Sequence, residues 1–237
     1  MKRPRVISVK LNRFINKKIF FKRWPLGYLL FFALACRNNV PPQPGKEPGN
    51  HFQRRMDSTR LLIKSGDIIV RNGTDEVSRT ARSFNRVDTS FSHCGIVLLE
   101  NDTLFVYHAL GGNYNPSQQL RRDPIDSFCV PPETDRFAIY RYELNPRQSD
   151  TLTSIVHGYY AARLPFDLYF NFLTDDRMYC SEFVFKCLDR SLSGALSQTI
   201  KARQWPYGIS PDDLYLNNLC RLIKRVDYPV TSSISQP

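Results

Sequence analysis

The sequence predicts an α+β domain, with a mainly antiparallel sheet packed with helices that lie on both sides of it in sequence order. Three observations carry this prediction. The run "SHCGIVLLENDTLFVYHALGG" (Ser92–Gly112) holds two β-rich stretches around Glu100-Asn101-Asp102, the pattern of a hairpin. "LLIKSGDIIVRNG" (Leu61–Gly73) and "RFAIYRYEL" (Arg136–Leu144) carry further short β-branched or alternating runs. Other segments repeat apolar residues at helical spacing. A composition of 42% hydrophobic and 23% charged residues is globular, and 237 residues suit one domain with extensions.

The elements follow in order. A turn at Ser65-Gly66 precedes the first strand. "DEVSRTARSFNRV" (Asp75–Val87) places Val77, Ala81, Phe84 and Val87 at helical spacing. The hairpin comes next. The stretch Gly111–Pro124 reads as a pocket-lining loop whose Arg121 and Arg122 either meet an anionic substrate group or are simply solvated. After the strand Arg136–Leu144, Ser149–Leu164 reads as a helix with Asp150 as N-cap and Leu152, Ile155, Val156 and Tyr159 as its apolar stripe. "CSEFVFKCLDR" predicts a helix with Phe183, Val184, Cys187 and Leu188 inward. Ser210, Pro211 and the acids beside them predict the start of a last helix over Ile209–Val226.

The net charge of +11 raises the question of nucleic acid, and its distribution answers it. Nine of the 33 basic residues lie in residues 1–35, which contain no acid, leaving 24 against 22 acidic residues elsewhere. A nearly neutral body carries no electrostatic footprint for nucleic acid. The basic front followed by "LGYLLFFALAC" (Leu26–Cys36) describes a secretory signal over residues 1–35. Its apolar run is short of the roughly 20 residues that span a bilayer. The Pro-, Gly- and Asn-rich stretch after it makes 36–55 a flexible tether. Residues 56–230 are then the domain and 231–237 a tail.

Beyond Cys36 the chain has Cys94, Cys129, Cys180, Cys187 and Cys220. An odd number cannot pair completely, and no C-x-x-C spacing argues for zinc, so neither a disulfide framework nor a metal is expected. Of four histidines, His51 ends the tether and His157 lies mid-helix, leaving His93 and His108 in the hairpin. If paired residues sum to 201, the two lie directly opposite; if they sum to 203, they are diagonal neighbours on one face. A shift by one residue separates them. Cys180 stands at the predicted start of a helix, where unpaired N–H groups and the dipole stabilise a thiolate and can also receive an oxyanion. Cys187, two turns further on, has neither benefit. From these residues alone, Cys180 is either a nucleophile or a small core residue.

Four stretches together resemble the YiiX-like, permuted papain-fold amidases of the NlpC superfamily. They are "SGDIIVR" (Ser65–Arg71), "FSHCGIVLLENDTLFVYHA" (Phe91–Ala109), "LPFDLYFNFLTDDRMYCSEFV" (Leu164–Val184) and "SPDDL" (Ser210–Leu214). The histidine strand precedes the cysteine helix, the reverse of papain. The resemblance implies a circularly permuted papain-like (NlpC-type) fold, with Cys180 as nucleophile, His93 as general base and His108 at the third, polar position. Many YiiX-like members resemble each other in having glutamate there, whereas the related lecithin retinol acyltransferase group has histidine. Asp167, Tyr169, Tyr179 and Glu182 fall in the matching stretch and are expected to support the pocket and the helix start. "FALAC" is similar to a bacterial lipoprotein signal, which implies lipidation at Cys36 and attachment to a membrane of the cell envelope, although Ala33 and Leu34 depart from the usual residues. The implied activity is hydrolysis of an amide or ester bond, in a cell-wall peptide or an acyl lipid, through a Cys180 acyl-enzyme without a cofactor. The alternatives are a lipid-directed acyltransferase and a noncatalytic surface lipoprotein.

Overall fold

The computed structural model describes residues 48–113, 115–201 and 208–229. The expected signal, Cys36 and the tether up to residue 47 lie outside the described residues, as does the tail.

Among the described residues one six-stranded antiparallel sheet runs in the order β4-β3-β2-β1-β5-β6. The strands are β1 (Ile68–Gly73), β2 (His93–Glu100), β3 (Thr103–His108), β4 (Arg121–Pro124), β5 (Thr134–Tyr142) and β6 (Cys220–Asp227). The helices are α1 (Pro48–Arg60), α2 (Glu76–Arg82), α3 (Ile125–Cys129), α4 (Pro146–Ala161), α5 (Cys180–Ser191) and α6 (Ala195–Thr199). The sheet has apolar side chains on both faces. Ile68, Val70, Cys94, Ile96 and Leu98 pack with Leu152 and Val156 of α4, Phe183, Val184, Cys187 and Leu188 of α5, and Leu196 of α6. Ile69, Val97, Val106, Phe137 and Ile139 pack on the other face with Met56 of α1 and Phe128 and Cys129 of α3. Each large apolar side chain so buried contributes on the order of 1.5–3 kcal/mol, and the four from α5 fix that helix against β2. The expected α+β class and inward face of α5 are observed.

The hairpin register decides where the histidines fall. Ile96 pairs with Tyr107 and Glu100 with Thr103. Asn101 and Asp102 both have positive φ, 46° and 62°, as a tight two-residue hairpin turn demands. The turn therefore centres on Asn101-Asp102, paired residues sum to 203, and His108 falls across from Gly95 with His93 diagonal to it. The motif "SGDIIVR" is explained by packing. Gly66 turns with φ 92°, and the buried Asp67 carboxylate takes both Nε (2.6 Å) and Nη2 (2.7 Å) of Arg141.

Several sequence expectations are corrected. Residues 48–55, expected in the tether, belong to α1, because Phe52 and Met56, one helical turn apart, join the core beside α3. Helix α2 stops at Arg82 and buries no side chain; Val77 and Val87 are exposed, so their spacing did not mark a core face. Helix α4 is capped by Asn145, not Asp150: Asn145 accepts from Gln148 N–H and Gln148 Oε1 accepts from Asn145 N–H. Ser210 and Pro211 start only a single 3-10 turn, Pro211–Leu214, and the expected last helix is instead edge strand β6. In that turn Asp212 accepts from the backbone N–H of Arg86, Val87 and Asp88, which accounts for "SPDDL" as a structural clip. The end of the predicted loop Gly111–Pro124 is strand β4, paired with β3.

Candidate active site

His93 opens β2 and His108 closes β3, so both stand at the same end of the sheet. Both are buried, with His93 Nε2 2.8 Å from His108 Nδ1 and the rings edge to face at 82°. Phe128 of α3 packs against both, its centroid 5.7 Å from His93 and 5.0 Å from His108. Gly95 leaves room for the pair, since a side-chain carbon there would meet Val106 Cγ1 at 2.6 Å and the Tyr107 carbonyl oxygen at 2.8 Å.

Cys180 is the first residue of α5, after Tyr179 in extended conformation. The helix start is held from three directions. Glu182 accepts from Tyr179 N–H (3.3 Å), Ser181 Oγ donates to the Ile209 carbonyl (2.7 Å), and Tyr179 Oη accepts from Ile209 N–H (3.0 Å). Cys180 is partly exposed, whereas Cys94, Cys129 and Cys187 are buried. The Cys94 thiol beside it, then the His93 ring and the Ser181 N–H, hold the Cys180 thiol well below its ordinary pKa, against the opposing effect of burial. Cys94 shifts the other way, raised by burial and by Cys180. Burial likewise pushes Cys187 up. A lowered, reachable thiol next to an imidazole is the arrangement of an activated sulfur nucleophile. The structure thus brings together Cys180, His93 and His108.

It adds a residue that the sequence did not mark. His108 Nε2 lies 3.0 Å from Asp123 Oδ2, on β4. Burial drives His108 down to about 3, so its ring is neutral. Asp123 falls to about 2, its hydrogen bonds from His108 and Arg121 outweighing partial burial. Arg121 donates to Asp123 at 2.8 Å. Arg122 pairs with Glu100 instead. A groove of about 560 Å³ opens over Asp123, Arg121, Tyr160 and Arg163.

The other expected residues serve the scaffold. Asp167 is fully buried and accepts from the N–H of Tyr169 and Asn171, folding the loop before Cys180. Tyr169 is 83% exposed and only its backbone takes part, so its side chain shapes no enclosed pocket. Glu182 is buried and pairs with Lys186 at 2.7 Å. Tyr179 is buried with its hydroxyl on the chain at Ile209.

Comparison with known proteins agrees with the fold. An Escherichia coli K12 protein, uncharacterized protein YiiX, is 24% identical over 144 residues, 60% of this chain; the match spans 65% of that protein's length. The crystal structure of yiiX from Escherichia coli O157:H7, described as a metalloprotein, superposes with a TM-score of 0.56 at 20% identity, covering 71% of this chain and 99% of the other. At that identity the likeness concerns the fold. Among the described residues of the present chain, no group of three or more His, Cys, Asp or Glu side chains is placed to hold a metal ion. The family model described as permuted papain-like amidase enzyme, YaeF/YiiX, C92 family, matches residues 62–204, more than half of the chain. With the histidine strands first, the cysteine helix after them and that match over both, the chain belongs to the YaeF/YiiX family of permuted papain-like amidases.

Proposed function

We propose that the protein is a cysteine hydrolase that cleaves an amide or ester bond through an acyl-enzyme on Cys180. One observation carries the reading: a thiol lowered at the first turn of α5 faces a histidine that is itself hydrogen-bonded to a second histidine. The Cys180 thiolate attacks the carbonyl carbon, and the electron pair moves onto oxygen, which the unpaired N–H groups of the first helical turn receive. The C–N or C–O bond then breaks, and His93 gives its proton to the departing amine or alcohol. Water attacks the thioester, His93 takes a proton from it, and the acid leaves with Cys180 restored.

The test is labelling of the full chain with an acyl-directed electrophile, followed by location of the adduct. Selective labelling of Cys180, lost in His93→Ala, is expected; equal labelling of Cys94 or Cys129 overturns the reading. A second reading, acyl transfer from a lipid, is favoured by one feature. Leu168 and Leu173, in the loop just before the nucleophile, are 61% and 91% exposed, as suits contact with an acyl chain or a lipid surface. Supplying peptidoglycan fragments and acyl lipids in parallel, with product analysis, separates the two. Export and attachment through a lipidated Cys36 are part of this proposal and rest on the leader sequence; labelled fatty acid incorporated into the chain and lost in Cys36→Ala tests them.

A further inference from the structure

The histidine pair poses a question of proton placement. Two adjoining ring nitrogens, His93 Nε2 and His108 Nδ1, are 2.8 Å apart, and one of them must donate. Hydrogen positions follow from the remaining partners. His108 Nε2 faces the Asp123 carboxylate at 3.0 Å. That carboxylate, which also receives Arg121, is ionised at neutral pH and can only accept. The neutral His108 ring therefore carries its single proton on Nε2, and its Nδ1 is a lone pair. It follows that His93 donates from Nε2. When His93 is neutral, its Nδ1 is then the free base nitrogen. The reverse arrangement requires a protonated Asp123 beside Arg121.

We propose that Asp123 is the positioning residue at the outer end of a chain Asp123–His108–His93, which sets both ring tautomers and leaves Nδ1 of His93 to take the proton of Cys180. This rests on the reading of Cys180 as the nucleophile. The chain supplies what a second neutral histidine alone lacks: an anion that stabilises the imidazolium on His93, transmitted through His108 by hydrogen bonds that polarise one another. The surroundings favour it. Arg121 lies opposite His108 on β4, and Asp123, two residues along, faces the same side of the sheet. Phe128 packs against both rings and keeps water from the junction. The groove over Asp123 and Arg121 gives the outer end an opening to small anions.

The experiment reads ring tautomers directly. With four histidines in the chain, nitrogen-15 resonances of the full-length protein can be assigned by single replacements. In Cys180→Ser, observed at high pH, both His93 and His108 are expected to carry the proton on Nε2. In Asp123→Ala the preference at His108 is lost. Alkylation of Cys180 by iodoacetamide at neutral pH then falls on the order of tenfold, and formate, entering by the groove, restores part of it. Asp123→Asn keeps the shape should the alanine variant misfold, and is expected to lose the same tautomer preference with an unchanged circular dichroism spectrum. A proton on Nδ1 of His108 in the presence of Asp123 overturns the proposal. So do Asp123 variants that leave tautomers and alkylation unchanged while Cys180 remains fast and dependent on His93. If Cys180 reacts no faster than Cys220, the other partly exposed thiol among the described residues, the nucleophile reading itself fails, and this proposal with it.

Discussion

A side-chain carbon at Gly95 would stand 3.1 Å from the Cβ of His108, and closer still to Val106 and the Tyr107 carbonyl. Glycine at this position is thus a condition for seating His108 beside His93. Gly95→Ala is expected to destabilise the domain by about 1–3 kcal/mol, the usual cost of overpacking, because a backbone atom stands in the way. It should also slow Cys180 alkylation by displacing His108. Urea unfolding and alkylation rates on the same preparation check both; an unchanged midpoint contradicts the crowding.

The Cys94 thiol is the foremost influence lowering Cys180. In Cys94→Ala the pH midpoint of Cys180 alkylation moves up, and the rate at neutral pH drops severalfold. Cys94→Ser, which retains a hydroxyl donor, recovers part of the difference. A pH–rate profile for iodoacetamide gives the answer, with a coincident profile in Cys94→Ala counting against the contact.

Glu182 is raised to about 7, chiefly by burial, although it faces Lys186. In the unfolded chain a glutamate titrates near 4.3, so between roughly pH 4.5 and 7 the folded state holds the extra proton. Stability contributed at low pH is therefore lost as pH rises through that window, by up to about 3 kcal/mol. His108 acts in the opposite sense. Its folded pKa of about 3 lies below the ordinary 6.5, so its contribution is present above pH 6.5 and lost as pH falls toward 3. Comparing wild type with Glu182→Gln isolates the first effect: the difference in unfolding free energy should shift toward the glutamine variant from pH 5 to pH 7.5. Lys186 keeps the Thr174 carbonyl and Asp175 in that variant.

Asp167 and Tyr169 separate scaffold from surface in one loop. Asp167→Ala removes the acceptor of the Tyr169 and Asn171 N–H groups that folds this loop and is expected to cost about 1–3 kcal/mol. Tyr169→Ala should stay within about 0.5 kcal/mol of wild type. Thermal unfolding of the two variants side by side checks the contrast.

The parts legible in the sequence were those in which local and tertiary demands coincide. The start of α5 is marked by its apolar stripe and by Glu182 reaching back to Tyr179. The hairpin is marked by its β-rich runs, and only its register awaited the Asn101-Asp102 turn. Asp123 was hidden because "RRDP" is polar and ends in proline, like a loop; it becomes a strand only by pairing at the sheet edge with β3. Strand β6 was hidden for a related reason. Leu216, Leu219 and Ile223 repeat at helical spacing behind a sound helix start, yet Leu216, Leu219 and Leu222 stay exposed, and pairing with β5 overrides the local preference. Similarly, the burial of Met56 against the far face of the sheet made a helix of residues that composition gave to a tether.

A ribosome delivers His93, His108 and Asp123 well before Cys180. Until α5 docks on β2, that cysteine is an ordinary thiol with a pKa near 8.5, mostly protonated at neutral pH. On the proposed reading, the sulfur is activated only when α5 docks on β2. A truncated or half-synthesised chain then carries no activated thiol to be acylated, and reactivity arrives as a property of completion.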